Sequence, residues 1–158
     1  DHSKTTRVDS LREIFTALKG ITVDTPADIN VAMWEKFVFI SGTSGVGAFT
    51  RQPIGAYRAN PKTRTMLINA MNETAAVARA RGIPLSDNLV AETMKRIDTL
   101  QPDVMASMQK DIMEGRPSEL NEQTGAVIRM GRAVGVPTPT HEMIYAELSP
   151  LEQKARGN

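Results

Sequence analysis

The sequence predicts an all-α fold, a compact multi-helix bundle formed by residues 1–158 as a single domain. Apolar residues recur at spacings of three and four along most of the chain, as on one face of a helix. No alternating β-branched runs and no Asn-Gly hairpin turns are present. Aromatic residues make up only 4% of the chain, so the core is expected to be aliphatic. Helix start and stop signals divide the chain into roughly seven helices.

The first two helices are predicted from capping residues. Ser10 and Glu13 match a capping box, and Leu11, Ile14, Phe15 and Leu18 follow at helical spacing. Thr25-Pro26 predicts the start of a second, largely buried helix that runs as far as Ile40. The glycine-rich stretch 41–47 is then expected to break or bend this helix. A phosphate cradle is the alternative, but no strand precedes the stretch and no Lys-Ser/Thr follows it.

Five further helices follow from similar signals. Asn60-Pro61, Ser118 and Thr140 are predicted to lie at helix starts, while Gly135 and Pro150 are predicted to close helices. The predicted segments are residues 61–82, 86–99, 103–113, 118–135 and 140–150.

Composition excludes several classes of function. The 19 basic and 18 acidic residues leave a net charge of +1, which gives no basis for binding nucleic acid or a membrane. The chain has no cysteine, and its histidines, His2 and His141, have no second ligand at metal spacing, so no metal site is predicted. No apolar run approaches the roughly 20 residues of a membrane span, and residues 1–4 read as a polar lead-in without a secretory pattern. A cytoplasmic protein is therefore expected.

Lys36 is the most informative single residue. It shares a helical face with Ile29, Met33 and Ile40, so it is predicted on an apolar, buried side of its helix. Such a lysine either extends its amine to solvent or holds it in a pocket. In a pocket, desolvation lowers the pKa of the amine toward a range useful for proton transfer.

Two later polar residues allow a structural and a functional interpretation. Glu119 follows the predicted capping residue Ser118, where a carboxylate is stabilised by the helix dipole. Ser107 is predicted to lie inside a helix, where serine is commonly a small residue bonded to the preceding turn. Neither residue indicates a reaction by itself.

Taken together, these residues resemble the C-terminal domain of ketopantoate reductases (2-dehydropantoate 2-reductases), and more broadly 6-phosphogluconate-dehydrogenase-like enzymes. The resemblance extends from about residue 7 to residue 148, and the step of twelve residues from Ser107 to Glu119 agrees with the family's spacing. The matching segments are Trp-Glu-Lys at 34–36, Ser-Met-Gln-Lys-Asp at 107–111, Gly-Arg-Pro-Ser-Glu-Leu at 115–120, Gly125, and Gly-Val-Pro-Thr-Pro at 135–139.

The resemblance implies roles for individual residues. Lys36 would donate a proton to the keto oxygen of a 2-keto acid, and Glu119 would hold the lysine and contact NADPH. Ser107 would bind the substrate, and Ser44 stands at a substrate-side position. NADPH itself would be bound mainly by an N-terminal Rossmann domain, the chain's expected partner.

The sequence departs from the family's pattern in two ways. Ile40, Ser44 and Val104 stand where the family typically has asparagines, which weakens the prediction of ketopantoate as substrate. The chain also has no Gly-x-Gly-x-x-Gly motif, so it is not expected to bind NADPH productively alone. A helical module that forms a homodimer or docks a partner without chemistry remains the alternative, and a DNA-binding regulator has little support.

Overall fold

The structure, a computed structural model, describes residues 5–157, and all regular secondary structure in this range is α-helical. The predicted all-α class is confirmed, with eight helices in the described part of the chain rather than seven. They are α1 Thr6–Thr16, α2 Ile29–Thr50, α3 Ile54–Ala59, α4 Pro61–Ala80, α5 Leu89–Thr99, α6 Ser107–Met113, α7 Thr124–Val134 and α8 Pro139–Ala155. The predicted polar lead-in at residues 1–4, with His2, lies outside the described residues. Among the described helices, none is long and apolar enough to cross a membrane.

Helix α2 lies at the centre of the fold and packs against α3, α4, α5, α6, α7 and α8. The glycine-rich stretch was predicted to break or bend this helix; the break is wrong, because α2 continues without interruption from Ile29 to Thr50. The small residues allow neighbouring side chains to approach the helix axis. A Cβ on Gly42 would lie 2.7 Å from Met71 Cγ on α4, and a Cβ on Gly47 would collide with Gln109 on α6. Close packing compensates for the low helix propensity of glycine.

Several helix starts differ from the predicted ones. Ser10 lies inside α1 and donates to Thr6 O at 3.0 Å, so the predicted capping box is wrong. Helix α2 begins at Ile29 rather than at Thr25-Pro26, because the Asp28 carboxylate accepts a hydrogen bond from Asn30 N. The start at Asn60-Pro61 is confirmed, with the Asn60 side chain accepting from Lys62 N at 2.9 Å.

For the two C-terminal helices, too, some predicted ends are confirmed and others are wrong. Helix α7 begins at Thr124 instead of Ser118 but ends as predicted at Gly135, whose φ of 69° is left-handed. Thr140 lies within the first turn of α8, and this helix runs through Pro150 to Ala155 instead of closing there. Proline removes one backbone donor, and the Ser149 hydroxyl lies 3.5 Å from the Ala146 carbonyl oxygen that this donor would have reached.

Helix α1 packs against none of the other helices in the described part of the chain. Its apolar residues are spaced for one helical face and remain exposed, with Ile14 at 61%. The exposed apolar residues of this helix are Val8, Leu11, Ile14 and Phe15, followed by Leu18 just beyond its end. An apolar stripe of this kind normally contacts another surface.

Candidate active site

The exposed half of α2 presents Lys36. The lysine is exposed, and Ile29 and Met33, which share its face, are 51% and 56% exposed. The prediction that this face is buried is therefore wrong for the described residues. Among residues 29–38 of α2, those that pack on the core are Val31, Trp34 and Val38, which lie on the opposite side of the helix from Lys36. Complete burial is concentrated in the later part of α2, at residues 41–48. The Lys36 amine is consequently open to a ligand or a partner surface.

Lys36 lines a groove between α2 and α5, with a volume of about 630 Å³. Its charged lining residues have both signs: Lys36 and Arg96 are basic, whereas Asp24, Glu35 and Glu92 are acidic. The Arg96 guanidinium lies 5.4 Å from the centre of the Phe39 ring, a cation–π distance. Lys36 and Arg96 are the lining groups that can hold a small anionic ligand, and the Phe39 ring forms part of the lining.

The other side of Lys36 is apolar. A shallower depression of about 290 Å³ is lined by Met33, Trp34, Phe37 and Ile40 together with the lysine. Ile40 lines both depressions, one helical turn after Lys36. A ligand bound at the amine would thus have an apolar side chain, instead of an amide, as its next neighbour on α2.

Glu119 lies in the turn between α6 and α7, not in the first turn of a helix. Helix α7 begins only at Thr124, so the helix-dipole interpretation of Glu119 is wrong. The Glu119 side chain is exposed, and its Oε2 accepts a hydrogen bond from Gln123 Nε2 at 2.8 Å. The carboxylate is therefore oriented by a neighbour yet free to accept further hydrogen bonds.

The two serines differ in accessibility. Ser107 is exposed and is the first residue of α6, so its predicted place in a helix interior is wrong. The predicted helix from residue 103 starts later because Ala106 has extended backbone geometry (φ −70°, ψ 153°). Ser44 is only 1% exposed, at the centre of the packed half of α2. Neither serine, nor Glu119, lines the two depressions beside Lys36.

Val104 belongs to the segment that supports α3. Its carbonyl oxygen accepts from Ile54 N at 2.9 Å, and the Pro102 carbonyl accepts from Gly55 N at the same distance. The Val104 side chain is 42% exposed. The position expected to hold an asparagine thus presents an apolar side chain to its surroundings.

Sequence reasoning missed a buried polar chain that joins α8 to α4 and α2. The Glu73 carboxylate accepts hydrogen bonds from Thr140 N at 2.7 Å and from His141 N at 3.1 Å, and it lies 2.7 Å from His141 Nδ1. His141 Nε2 lies 3.4 Å from Thr74 Oγ1, which in turn lies 2.9 Å from Ser41 Oγ. The partners are distant in sequence, so no local pattern indicates them.

The electrostatics of Glu73 follow from these contacts. Burial alone would raise its pKa, but the hydrogen bonds from His141 and Thr140 outweigh burial and hold the pKa below its ordinary value. The carboxylate is therefore ionised at neutral pH and supplies the side-chain cap that the start of α8 lacks locally.

A second missed cluster fixes the segment before α7. Glu152, near the end of α8, is 7% exposed and accepts hydrogen bonds from the backbone and the hydroxyl of Ser118. Arg156 donates to Glu152 Oε1 at 2.6 Å and to Ser118 O at 2.8 Å. Ser118 was predicted as a helix cap, and its role is instead to join this segment to α8.

The structure is that of an all-helical domain with an exposed lysine beside a groove. Comparison with known proteins identifies the family to which such a domain belongs. The family model described as ketopantoate reductase PanE/ApbA C terminal matches residues 28–152. The chain therefore belongs to the ketopantoate reductase PanE/ApbA family of oxidoreductases, as its C-terminal domain.

Relatives and solved structures agree with this family. The chain is 27% identical over 139 residues to 2-dehydropantoate 2-reductase from Caulobacter vibrioides, covering 84% of this chain and 47% of that protein. It is 24% identical over 149 residues to the uncharacterized oxidoreductase YkpB of Bacillus subtilis, covering 94% of this chain and 49% of that protein. A PanE/ApbA family ketopantoate reductase from Ralstonia eutropha JMP134 superposes with a TM-score of 0.83 at 30% identity, covering 96% of this chain and 50% of that one. The chain thus spans about half the length of the relatives it matches.

Proposed function

We propose that this chain is the substrate-side half of an NADPH-dependent 2-keto-acid reductase that converts the keto acid to a 2-hydroxy acid. The observation on which the proposal rests is the exposed Lys36 amine beside a groove, in a domain of the ketopantoate reductase family. A protonated lysine at a keto oxygen polarises the carbonyl and provides the proton that the product hydroxyl requires.

In this proposal Lys36 acts as the general acid. Its ammonium donates a hydrogen bond to the keto oxygen and then transfers the proton to that oxygen as the carbonyl carbon is reduced. The nicotinamide cofactor supplies the hydride when bound. After each turnover the amine regains a proton from solvent. One hydride and one proton thus account for the conversion of the ketone to an alcohol.

Glu119 and Ser107 are the proposed companions of Lys36. Both side chains are exposed, so both are able to meet a ligand held at the edge of the domain. The Glu119 side chain can accept hydrogen bonds from a ribose hydroxyl or from the lysine ammonium, and the Ser107 hydroxyl can donate to a substrate carboxylate. Ser44 is a weaker candidate, because a substrate would reach it only after the surrounding helices moved apart.

In this proposal NADPH contacts this chain only at the surface that includes Glu119. The described residues contain no strand, and therefore no βαβ unit in which a dinucleotide is normally bound. Exposed Glu119 fits one contact to the cofactor, while the remaining contacts would come from an N-terminal half. The exposed stripe of α1 and the exposed face of α2 beside Lys36 suit docking of that half.

We propose a class of substrate, the 2-keto acids, and not a single compound. Reduction of ketopantoate to pantoate, a step in pantothenate biosynthesis, is the reference reaction because relatives are named 2-dehydropantoate 2-reductase. Ile40 and Val104 cannot form hydrogen bonds through their side chains, so a 2-keto acid with fewer hydroxyl groups is the better match. A cytoplasmic location remains a prediction that agrees with such metabolism.

The test requires the full-length enzyme, in which the chain is joined to its natural N-terminal half. NADPH oxidation is measured with ketopantoate and with 2-keto acids that have unsubstituted alkyl chains. Lys36→Ala is expected to lower kcat by about 100-fold or more, because a general acid contributes on this scale. The matched control is Lys62→Ala, an exposed lysine in the first turn of α4, which should keep full activity. Full activity of the Lys36 variant would disprove the mechanism.

A non-catalytic helical module is the second candidate, and the exposed apolar stripe of α1 favours it. The ketopantoate reductase from Staphylococcus aureus that superposes with a TM-score of 0.86 is described as dimeric, which makes homodimerisation a specific form of this candidate. Under this hypothesis, the full-length protein forms a stable dimer, oxidises no NADPH with any keto acid, and is unaffected by Lys36→Ala. The same assay separates the two candidates, because a dimer in sedimentation agrees with both and only the loss of NADPH oxidation in Lys36→Ala requires the reductase.

A further inference from the structure

The carboxylate of Glu152 makes an unusual number of contacts to one distant residue. It is 7% exposed, near the end of α8, and both of its oxygens lie 3.0 Å from Ser118 N. Its Oε2 also accepts from Ser118 Oγ at 2.5 Å. Hydrogen bonds to an ionised acceptor are stronger than those between neutral groups, so this carboxylate holds Ser118 firmly.

Arg156, the residue directly after α8, completes the arrangement. Its Nε donates to Glu152 Oε1 at 2.6 Å, and its terminal nitrogen donates to Ser118 O at 2.8 Å. The backbone N–H and the backbone carbonyl of Ser118 are therefore both bound to the last turn of α8. We call these three residues the Ser118 clamp.

Ser118, the residue held by the clamp, directly precedes Glu119 in the chain. On the other side of Glu119, the Leu120 side chain is 1% exposed, and Leu120 N donates to Ser118 Oγ at 3.2 Å. Both neighbours of Glu119 are thus fixed, while the Glu119 side chain itself is exposed. An exposed carboxylate between two immobilised residues has a restricted set of positions.

We propose that Glu152 is a positioning residue of the reductase, which acts through Ser118 to hold the Glu119 carboxylate where cofactor and substrate meet. This inference rests on the proposed function, because it requires Glu119 to contact a ligand. Catalytic groups need placement to within a fraction of an ångström, and a displacement of about 1 Å can reduce turnover about 100-fold. The end of α8 thereby becomes part of the active-site framework.

The charge state of Glu152 is consistent with this role. Burial would raise its pKa, but hydrogen bonds from Ser118 and the nearby Arg156 outweigh burial and lower the pKa below its ordinary value. The carboxylate is ionised at neutral pH, so its hydrogen bonds to Ser118 are charge-assisted throughout the range in which such an enzyme operates.

The test uses the full-length enzyme and the variants Glu152→Gln, Glu119→Gln and their combination. Glu152→Gln is expected to lower kcat by about 10- to 100-fold with a smaller change in KM. The combined variant should be no slower than Glu119→Gln alone, because the clamp acts only through Glu119. Independent, multiplicative losses would show that Glu152 supports the fold in general and would overturn the inference.

Two further variants separate positioning from folding. Ser118→Ala removes the hydroxyl and should lower kcat, whereas Ser118→Thr keeps it and should restore most of the rate. Backbone amide exchange at Ser118, whose N–H donates to Glu152, should be accelerated in Glu152→Gln but not in the control Glu147→Gln, an exposed glutamate of α8. If Glu152→Gln fails to fold, the two Ser118 variants provide the test. Equal kcat values for Ser118→Ala and Ser118→Thr would overturn the inference.

A wild-type full-length enzyme that reduces no 2-keto acid overturns the proposed function, and the inference falls with it. An active wild type whose kcat is unaffected by Glu152→Gln overturns the inference alone.

Discussion

The Glu73 carboxylate of α4 lies 2.7 Å from His141 Nδ1 and, through hydrogen bonds to Thr140 N and His141 N, caps the first turn of α8. This helix starts with the residue Pro139, and its N-cap residue Thr138 makes no side-chain capping bond. The missing local cap is thus replaced by a carboxylate from another helix. The position of α8 is thereby tied to α4, which itself packs on α2.

Replacing this cap should destabilise the protein. Glu73→Gln retains the shape of the side chain but loses the charge and one acceptor, leaving a buried donor at the start of α8 unsatisfied. The expected loss in free energy of unfolding is about 1–3 kcal/mol. Urea denaturation followed by circular dichroism measures it. Glu147→Gln, at an exposed position of α8, should change stability by less than about 0.5 kcal/mol; equal losses in both variants would contradict the prediction.

Stability should fall in acid because of Glu73 and Glu152. Both carboxyls have a pKa below the ordinary value of 4.5, so the folded state binds protons less readily than the unfolded state. Their contribution is complete above about pH 5 and is lost as pH falls through the lowered values. Denaturation midpoints measured between about pH 7 and pH 3 should show this decline. The decline should be less steep in the combined variant Glu73→Gln, Glu152→Gln, and an unchanged slope would argue against these two groups.

Two glycines should respond differently to alanine. A Cβ on Gly55 would lie 2.8 Å from both the Cα and the carbonyl oxygen of Pro102, and backbone atoms cannot yield cheaply. Gly55→Ala is therefore expected to cost about 1–3 kcal/mol. A Cβ on Gly45 would meet the nearest atom, Ile144 Cδ1, at 3.4 Å, an ordinary contact, and alanine favours the helix by up to about 1 kcal/mol. Thermal denaturation of both variants should show a lower Tm for Gly55→Ala only.

Ile40 should influence substrate choice if the proposed function is correct. In the full-length enzyme, Ile40→Asn would place an amide one turn from Lys36, where it could bond a substrate hydroxyl. The ratio of kcat/KM for ketopantoate to that for an unsubstituted alkyl 2-keto acid should rise about 10-fold or more. Ile40→Val serves as the control because it preserves the apolar character. An unchanged ratio in the asparagine variant would show that Ile40 does not face the substrate.

Local signals in the sequence predicted the helices whose ends are determined locally. Asn60-Pro61 starts α4 as expected, and Gly135 ends α7 with a left-handed backbone, because both effects involve neighbouring residues only. The cap of α8 could not be predicted, since Glu73 lies 67 residues before Thr140. The interpretation of Ser118 as a cap failed for the same reason, because its partner Glu152 lies 34 residues later.

The candidate site was predictable in part. The pattern of α2 correctly indicated that Lys36 shares a face with apolar residues, but amphipathicity does not specify which surface covers that face. Among the described residues no helix covers it, and Ile29 and Met33 remain half exposed. The interruption expected at the glycines was wrong because propensity was weighed without the packing of Met71 and Gln109 against them.

Helix α2 is held firmly at one end and is less supported at the other. Its later half, residues 41–48, is enclosed by other helices, while Lys36 projects from the less covered half. With a rise of 1.5 Å per residue, the backbone of Lys36 lies about 16 Å from that of Gly47, so a tilt of about 2° at the enclosed end would displace Lys36 by about 0.6 Å. Substitutions in the buried part of α2 should therefore displace the Lys36 amine even where they leave the melting temperature nearly unchanged.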